Sequence, residues 1–93
     1  MQVRQAMEDK LRTAFAPARL SIVDESHRHA GHAGARPEGE THFAVEIVSA
    51  AFAGQNRVAR QRAVYAVLAQ EMQSRVHALA LATFTPEEDA ARR

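Results

Sequence analysis

Two short segments of this chain alternate between apolar and polar residues, and a long glycine-containing stretch separates them. The first is RLSIVDES at 19–26 and the second is THFAVEIV at 41–48, each with the period of two that a half-buried strand requires. Residues 26–39 carry three glycines and Pro37 among polar groups, which is the composition of a loop longer than an ordinary hairpin connection. We therefore predict two antiparallel strands joined by a long loop.

The segment before the first strand has helical periodicity. Its apolar residues recur at intervals of three and four positions: Val3, Met7, Leu11, Ala14 and Phe15. Pro17 should end this helix, because proline lacks the amide hydrogen and disfavours helical backbone at Ala16.

After the second strand, Gly54 marks a turn, and residues 57–74 have the pattern of a long helix or of a short turn that leads into one. The apolar stripe that we expect to be buried consists of Val64, Val67 or Leu68, and Met72. Residues 76–84, VHALALATF, predict a third strand that is apolar on both faces apart from His77 and Thr83. Such a strand should be central in the sheet and covered on both sides.

The TPEE sequence at 85–88 predicts the start of a last, short helix. Thr85 is suited to the N-cap, Pro86 to the first helical position, and Glu88 to the return bond of a capping box.

The element order is α-β-β-α-β-α, with room for one extra turn before the long helix. It predicts an α+β sandwich, in which a right-handed crossover joins the second and third strands and helices cover one face of a three-stranded sheet. At 93 residues we expect a single domain spanning 1–93.

The residue types present narrow the chemistry. There is no cysteine, which excludes a disulfide, a thiolate nucleophile and any Cys-based metal site built by this chain alone. No arrangement of a nucleophile with a base is evident, so we expect no enzyme activity and no small-molecule substrate. The formal net charge of +1 indicates neither a membrane nor a nucleic-acid partner by itself, and no apolar leader or membrane-length run is present. We expect a cytoplasmic protein.

Five histidines remain as metal-ligand candidates. Three of them, His27, His29 and His32, fall in the long loop, where such clusters are usually solvated polar residues. His77 is in phase with the leucines of the third strand and, taken alone, would be a partly buried core histidine. His42 alternates with Phe43, which suggests a structural or solvated role on the exposed or half-covered strand face.

Four stretches together resemble the BolA family over nearly the whole chain: VDESHRHAGH at 23–32, ETHFAVEIVSAAFAG at 40–54, RQRAVYAVLAQEM at 60–72 and VHALALATFTPEE at 76–88. The resemblance implies a type II KH-like fold with the order α-β-β-α-α-β-α. It also implies a monothiol glutaredoxin partner, with which members of the family can either share a [2Fe–2S] cluster that glutathione helps to hold or form an apo interface. On that basis His77 and His29 would be iron ligands, and His32 is a neighbour that could replace His29.

An alternative is a KH-like DNA-binding regulator that contacts phosphates through Arg57, Arg60 and Arg62. The turn at 54–57 reads GQNR and lacks the second glycine of the GXXG loop with which KH domains clamp RNA. Three arginines would add electrostatic affinity for DNA without specifying a sequence, and they could equally form the solvated face of the helix.

Overall fold

The computed structural model describes residues 2–25 and 41–92, which form four α-helices, three strands and one short 3-10 helix. In chain order these are α1 (Gln2–Phe15), β1 (Arg19–Asp24), β2 (His42–Val48), the 3-10 helix (Ala50–Phe52), α2 (Arg57–Val67), α3 (Ala69–Ser74), β3 (Ala78–Phe84) and α4 (Pro86–Ala91). This confirms the α+β class and the expected α-β-β-α-α-β-α order.

The sheet has the order β1-β2-β3, so β2 is its central strand. β1 pairs antiparallel with β2, and β3 pairs parallel with β2, with His42 opposite Ala78. The prediction that β3 is central and covered is wrong, because β1 and β3 occupy the two edges. Leu79 and Leu81 of β3 pack against the core, whereas Ala78 and Ala80 are exposed. Alanine is small enough to be tolerated at a surface. Counting the alanines of β3 as apolar residues therefore led to the wrong prediction that both faces of β3 are buried.

Helix α1 packs on the sheet through the face that its periodicity predicts. Met7 and Leu11 are fully buried, and Phe15 packs against the core at the end of the helix. Ala14 is exposed, contrary to expectation. The chain leaves the helix at Ala16, whose φ of 43° lies in the left-handed region, and whose N–H donates to the Arg12 carbonyl at 3.0 Å.

The helical segment 57–74 is divided at Leu68, where φ is −99° and ψ is 17°. Val64 and Leu68 are fully buried, and Val67 and Met72 are partly buried against the same core. The extra turn expected before this segment is the 3-10 helix, whose Phe52 is also fully buried. The central core residues come from α1, β1, β2, the 3-10 helix, α2 and the positions that follow α2 and α3: Met7, Leu11, Ile22, Phe43, Val45, Ile47, Phe52, Val64, Leu68 and Val76.

The predicted capping box at the start of α4 is confirmed. Thr85 Oγ1 accepts the Glu88 N–H at 3.1 Å, and the Glu88 carboxylate accepts the Thr85 N–H at 3.0 Å. Across residues 2–25 and 41–92, no helix combines the length and the apolar character that a membrane crossing requires.

Candidate functional site

His77 lies immediately before β3 on a backbone that is fixed on both sides. Its N–H donates to the carbonyl of Thr41 at 2.7 Å, and the Ala78 N–H donates to the same oxygen at 3.2 Å. The preceding residue, Val76, is buried with 4% of its surface exposed. The His77 side chain is itself exposed, so the alternative of a partly buried core histidine is wrong. The arrangement presents one imidazole to solvent from a rigid part of the fold.

A second imidazole lies beside it. The rings of His42 and His77 have their centroids 6.1 Å apart and their planes inclined by 22°. His42 is half-buried, and its Nδ1 is 2.8 Å from the hydroxyl oxygen of Thr41. Sequence reasoning did not predict this pair. The available signal was that histidine is the second residue in both THFAVEIV and VHALALATF, two segments that pair in parallel.

The loop histidines His27, His29 and His32 lie outside the described residues, so the assignment of His29 or His32 as a ligand stays a prediction. The two ends of that connection meet next to the histidine pair, where the Glu25 N–H donates to the His42 carbonyl at 2.7 Å. Within 2–25 and 41–92, no group of three or more His, Cys, Asp or Glu side chains could hold a metal ion. His77 can therefore donate one nitrogen to a metal whose other ligands come from elsewhere.

Arg60 does not lie with Arg57 and Arg62 on an open surface. It is only 9% exposed, and its guanidinium donates to both carboxylate oxygens of Glu88, at 2.7 and 3.1 Å. Its Nε donates to the Gln55 carbonyl at 2.8 Å. These donors connect α2 with α4, which makes Arg60 less available to a phosphate than the other two arginines, and its contact with DNA stays a prediction.

The other two arginines of α2 are exposed. Arg57 is the first residue of the helix, which begins at the N-cap Asn56, and Arg62 lies further along it. Asn56 accepts the Ala59 N–H at 2.8 Å, and Gly54 in the preceding turn has a φ of 79°. This turn fixes the start of α2 and leaves Arg57 and Arg62 as its solvent-facing cations.

A four-residue charge cluster holds α4 at the opposite end of the sheet from His77, and the sequence analysis missed it. Arg19 of β1 contacts Glu46 of β2 and Asp89 of α4, each at 2.5 Å, and Arg92 contacts the same two carboxylates at 2.7 and 3.1 Å. Hydrogen bonds from Arg19 lower the pKa of Glu46, and those to Glu46 and Asp89 raise the pKa of Arg19. The cluster joins residues of β1, of β2 and in or just after α4 that are far apart in the sequence, so no local sequence pattern predicts it.

Helix α4 has a second electrostatic attachment through Glu88. Hydrogen bonds first from Arg60 and then from the Thr85 backbone lower the pKa of Glu88 to about 2. The carboxylate thus stays ionised well into the acid range and serves the capping box and the bond to α2 together. Both attachments are structural, and within 2–25 and 41–92 His77 is the exposed histidine and therefore the candidate ligand.

Comparison with known proteins agrees with the fold. The family model described as "BolA-like protein" matches residues 11–88. A protein of Escherichia coli K12 named "DNA-binding transcriptional regulator BolA" is 47% identical over 88 residues, which cover 95% of this chain and 80% of the relative. The structure of BolA1 from Arabidopsis thaliana has a TM-score of 0.81 at 40% identity, covering 92% of this chain and 94% of the other. BolA1 from Mus musculus has a TM-score of 0.83 at 36% identity, covering 99% and 72%. This chain belongs to the BolA family.

Proposed function

We propose that this protein is a cytoplasmic adaptor that docks on a monothiol glutaredoxin and supplies His77 as a ligand to a [2Fe–2S] cluster carried by that partner. The observation that supports the proposal is an exposed imidazole on a fixed backbone, with no three-ligand metal group among residues 2–25 and 41–92. Such a site suits a protein that completes a metal centre rather than one that holds it alone.

The donor set fits a shared cluster. This chain has no cysteine, so the thiolates must come from the glutaredoxin and from glutathione. Replacing thiolate by histidine on one iron makes a [2Fe–2S] centre less negative and raises its reduction potential. The histidines of this chain would in that way tune a cluster that the partner delivers.

A second ligand from this chain would come from the long loop. We assign it to His29, with His32 as the neighbouring substitute. The loop begins and ends beside His42, where Glu25 bonds to the His42 carbonyl, and His29 follows Glu25 by four positions in the sequence. This short separation along the chain is what supports the choice of His29 as the loop ligand.

The test is a titration of [2Fe–2S]-loaded monothiol glutaredoxin with this protein, followed by visible absorption and circular dichroism. We expect the cluster spectrum to change up to one equivalent, and the change to be lost in His77→Ala and reduced in His29→Ala or His32→Ala. His27→Ala is the matched control, since it removes a histidine of the same loop to which we assign no ligand role. A spectrum that does not respond to the wild-type protein contradicts the proposal.

Regulation through DNA is a second candidate, favoured by the exposed Arg57 and Arg62 and by the name of the 47% identical relative. Each phosphate contact adds about 0.9 to the slope of log affinity against log salt. If α2 binds DNA, the double variant Arg57→Ala/Arg62→Ala should bind duplex DNA more weakly and with a shallower salt dependence. His77→Ala should leave that affinity unchanged, which separates this candidate from the adaptor role.

Either role is one of binding rather than catalysis. A relative 47% identical to this chain is named as a DNA-binding transcriptional regulator, which is a role of binding.

A further inference from the structure

Thr41 and His42, at the start of β2, form the immediate surroundings of His77. Thr41 is fully buried, and its carbonyl accepts the amide hydrogens of both His77 and Ala78. Two hydrogen bonds to one oxygen fix the backbone at His77 and hence the direction of its Cα–Cβ bond. Only the side-chain torsions of His77 remain to be set.

His42 restrains those torsions from one side. The parallel register places His42 opposite Ala78, so its ring lies next to the residue before β3. A centroid separation of 6.1 Å with planes inclined by 22° falls within the range of offset-stacked rings. The imidazole of His42 therefore lies on one side of the His77 ring and limits the orientations open to that ring.

The orientation of the His42 ring is set in turn by Thr41. The Thr41 hydroxyl oxygen lies 2.8 Å from His42 Nδ1, close enough for a hydrogen bond in either tautomer. Because Thr41 is fully buried, its hydroxyl is a fixed point of the core. A chain of contacts then runs from the buried Thr41 through the half-buried His42 to the exposed His77.

We propose that His42 is a positioning residue for His77, and that the Thr41 hydroxyl holds His42 in place for that purpose. The inference rests on the proposed function insofar as it takes His77 to be a ligand. An exposed imidazole that must be ordered on binding loses affinity, and pre-ordering one side chain is worth about two- to tenfold in affinity. His42 would contribute that factor without itself contacting the metal.

The first test uses the free protein and needs no cluster. Carbon-13 relaxation of the labelled histidine rings reports how ordered His77 is, and the amide spectrum verifies that each variant is folded. We expect His42→Ala and Thr41→Val to increase the motion of the His77 ring, and Thr41→Ser, which keeps the hydroxyl, to preserve its order. A His77 ring that is equally ordered in His42→Ala and in the wild type overturns the inference.

The second test distinguishes a positioning residue from a ligand. With cluster-loaded glutaredoxin, His42→Ala should weaken binding about two- to tenfold, whereas His42→Phe, which keeps a ring but loses the bond to Thr41, should weaken binding less than His42→Ala. The nitrogen-15 couplings of labelled histidine in the electron paramagnetic resonance spectrum of the reduced cluster should be the same in His42→Phe and wild type. If those couplings change in His42→Phe, His42 is a ligand and the positioning role is wrong; if His42→Phe is as defective as His42→Ala with unchanged couplings, the ring does not position His77.

The ligand role of His77 and the positioning role of His42 are tested by different measurements. If His77→Ala leaves the cluster spectrum unchanged, the ligand role of His77 is wrong, while the relaxation measurement still decides whether His42 orders His77.

Discussion

Arg60 and Glu88 are joined by a two-pronged ion pair in which both guanidinium nitrogens Nη1 and Nη2 meet the two carboxylate oxygens, at 2.7 and 3.1 Å. The pair spans 28 residues and connects the start of α2 with the start of α4. A planar guanidinium matches a carboxylate in this manner, and lysine could not reproduce the geometry.

Removing Arg60 should destabilise the protein, in contrast to removing a neighbouring arginine. Arg60→Ala removes the donor to the Gln55 carbonyl and the cation that pairs with Glu88, so we expect a loss of about 1–3 kcal/mol in the free energy of unfolding. Arg62→Ala, at an exposed position of the same helix, should change it by less than about 0.5 kcal/mol. Urea unfolding followed by circular dichroism measures both, and equal effects would show that Arg60 is not a structural connection.

The same ion pair should make stability depend on pH in the acid range. The pKa of Glu88 is lowered from 4.5 to about 2 in the folded chain, so folding favours its ionised form. The resulting stabilisation is fully present above pH 4.5 and is lost as the pH falls from there through about 2. Glu88→Gln should therefore be less stable than wild type at neutral pH, and the difference should shrink on acidification.

Chemical unfolding of both proteins at a series of pH values gives this difference directly. Glu87→Gln controls for the loss of one negative charge from α4. A difference between Glu88→Gln and wild type that stays constant down to pH 2 would contradict the linkage.

The cap of α4 should also be measurable by itself. Thr85→Ala removes the hydroxyl that accepts the Glu88 N–H and should cost about 0.5–2 kcal/mol. Thr85→Ser keeps that acceptor and should recover most of the loss. Thermal unfolding of the three proteins is sufficient, and a serine variant as unstable as the alanine variant would assign the effect to the buried methyl group instead.

Substitution of His77 should separate function from folding. Its side chain is exposed and its contacts to Thr41 are made by the backbone, so His77→Ala should change the free energy of unfolding by less than about 0.5 kcal/mol. The same variant should abolish the response of the glutaredoxin cluster. A large loss of stability would mean that any binding defect reflects folding rather than ligation.

The elements that sequence patterns predicted correctly are those fixed by local spacing. The period of two in RLSIVDES and THFAVEIV, the buried Met7 and Leu11, and the Thr85 capping box all follow from residues within a few positions of one another. Each of these patterns lies within one helix, strand or cap, so it can be recognised without knowing which elements pack beside it.

The features that were missed depend on which elements meet. The burial of Arg60 is set by Glu88 on another helix, and the edge position of β3 is set by which side of β2 remains open after β1 has paired. The contact of His42 with His77 follows from a register between strands that are joined by a helical crossover. None of these is encoded in the spacing of a single segment.

The parallel pairing of β2 with β3 also determines when the histidine site comes into existence during folding. His42 and His77 are 35 positions apart in the sequence and become neighbours when β3 pairs with β2. Parallel pairing of this kind closes a long loop and is slow compared with forming a helix or a hairpin. A partly folded chain in which β2 and β3 have not paired therefore has both imidazoles but not their juxtaposition, so the ordered site is available to a partner only after that pairing.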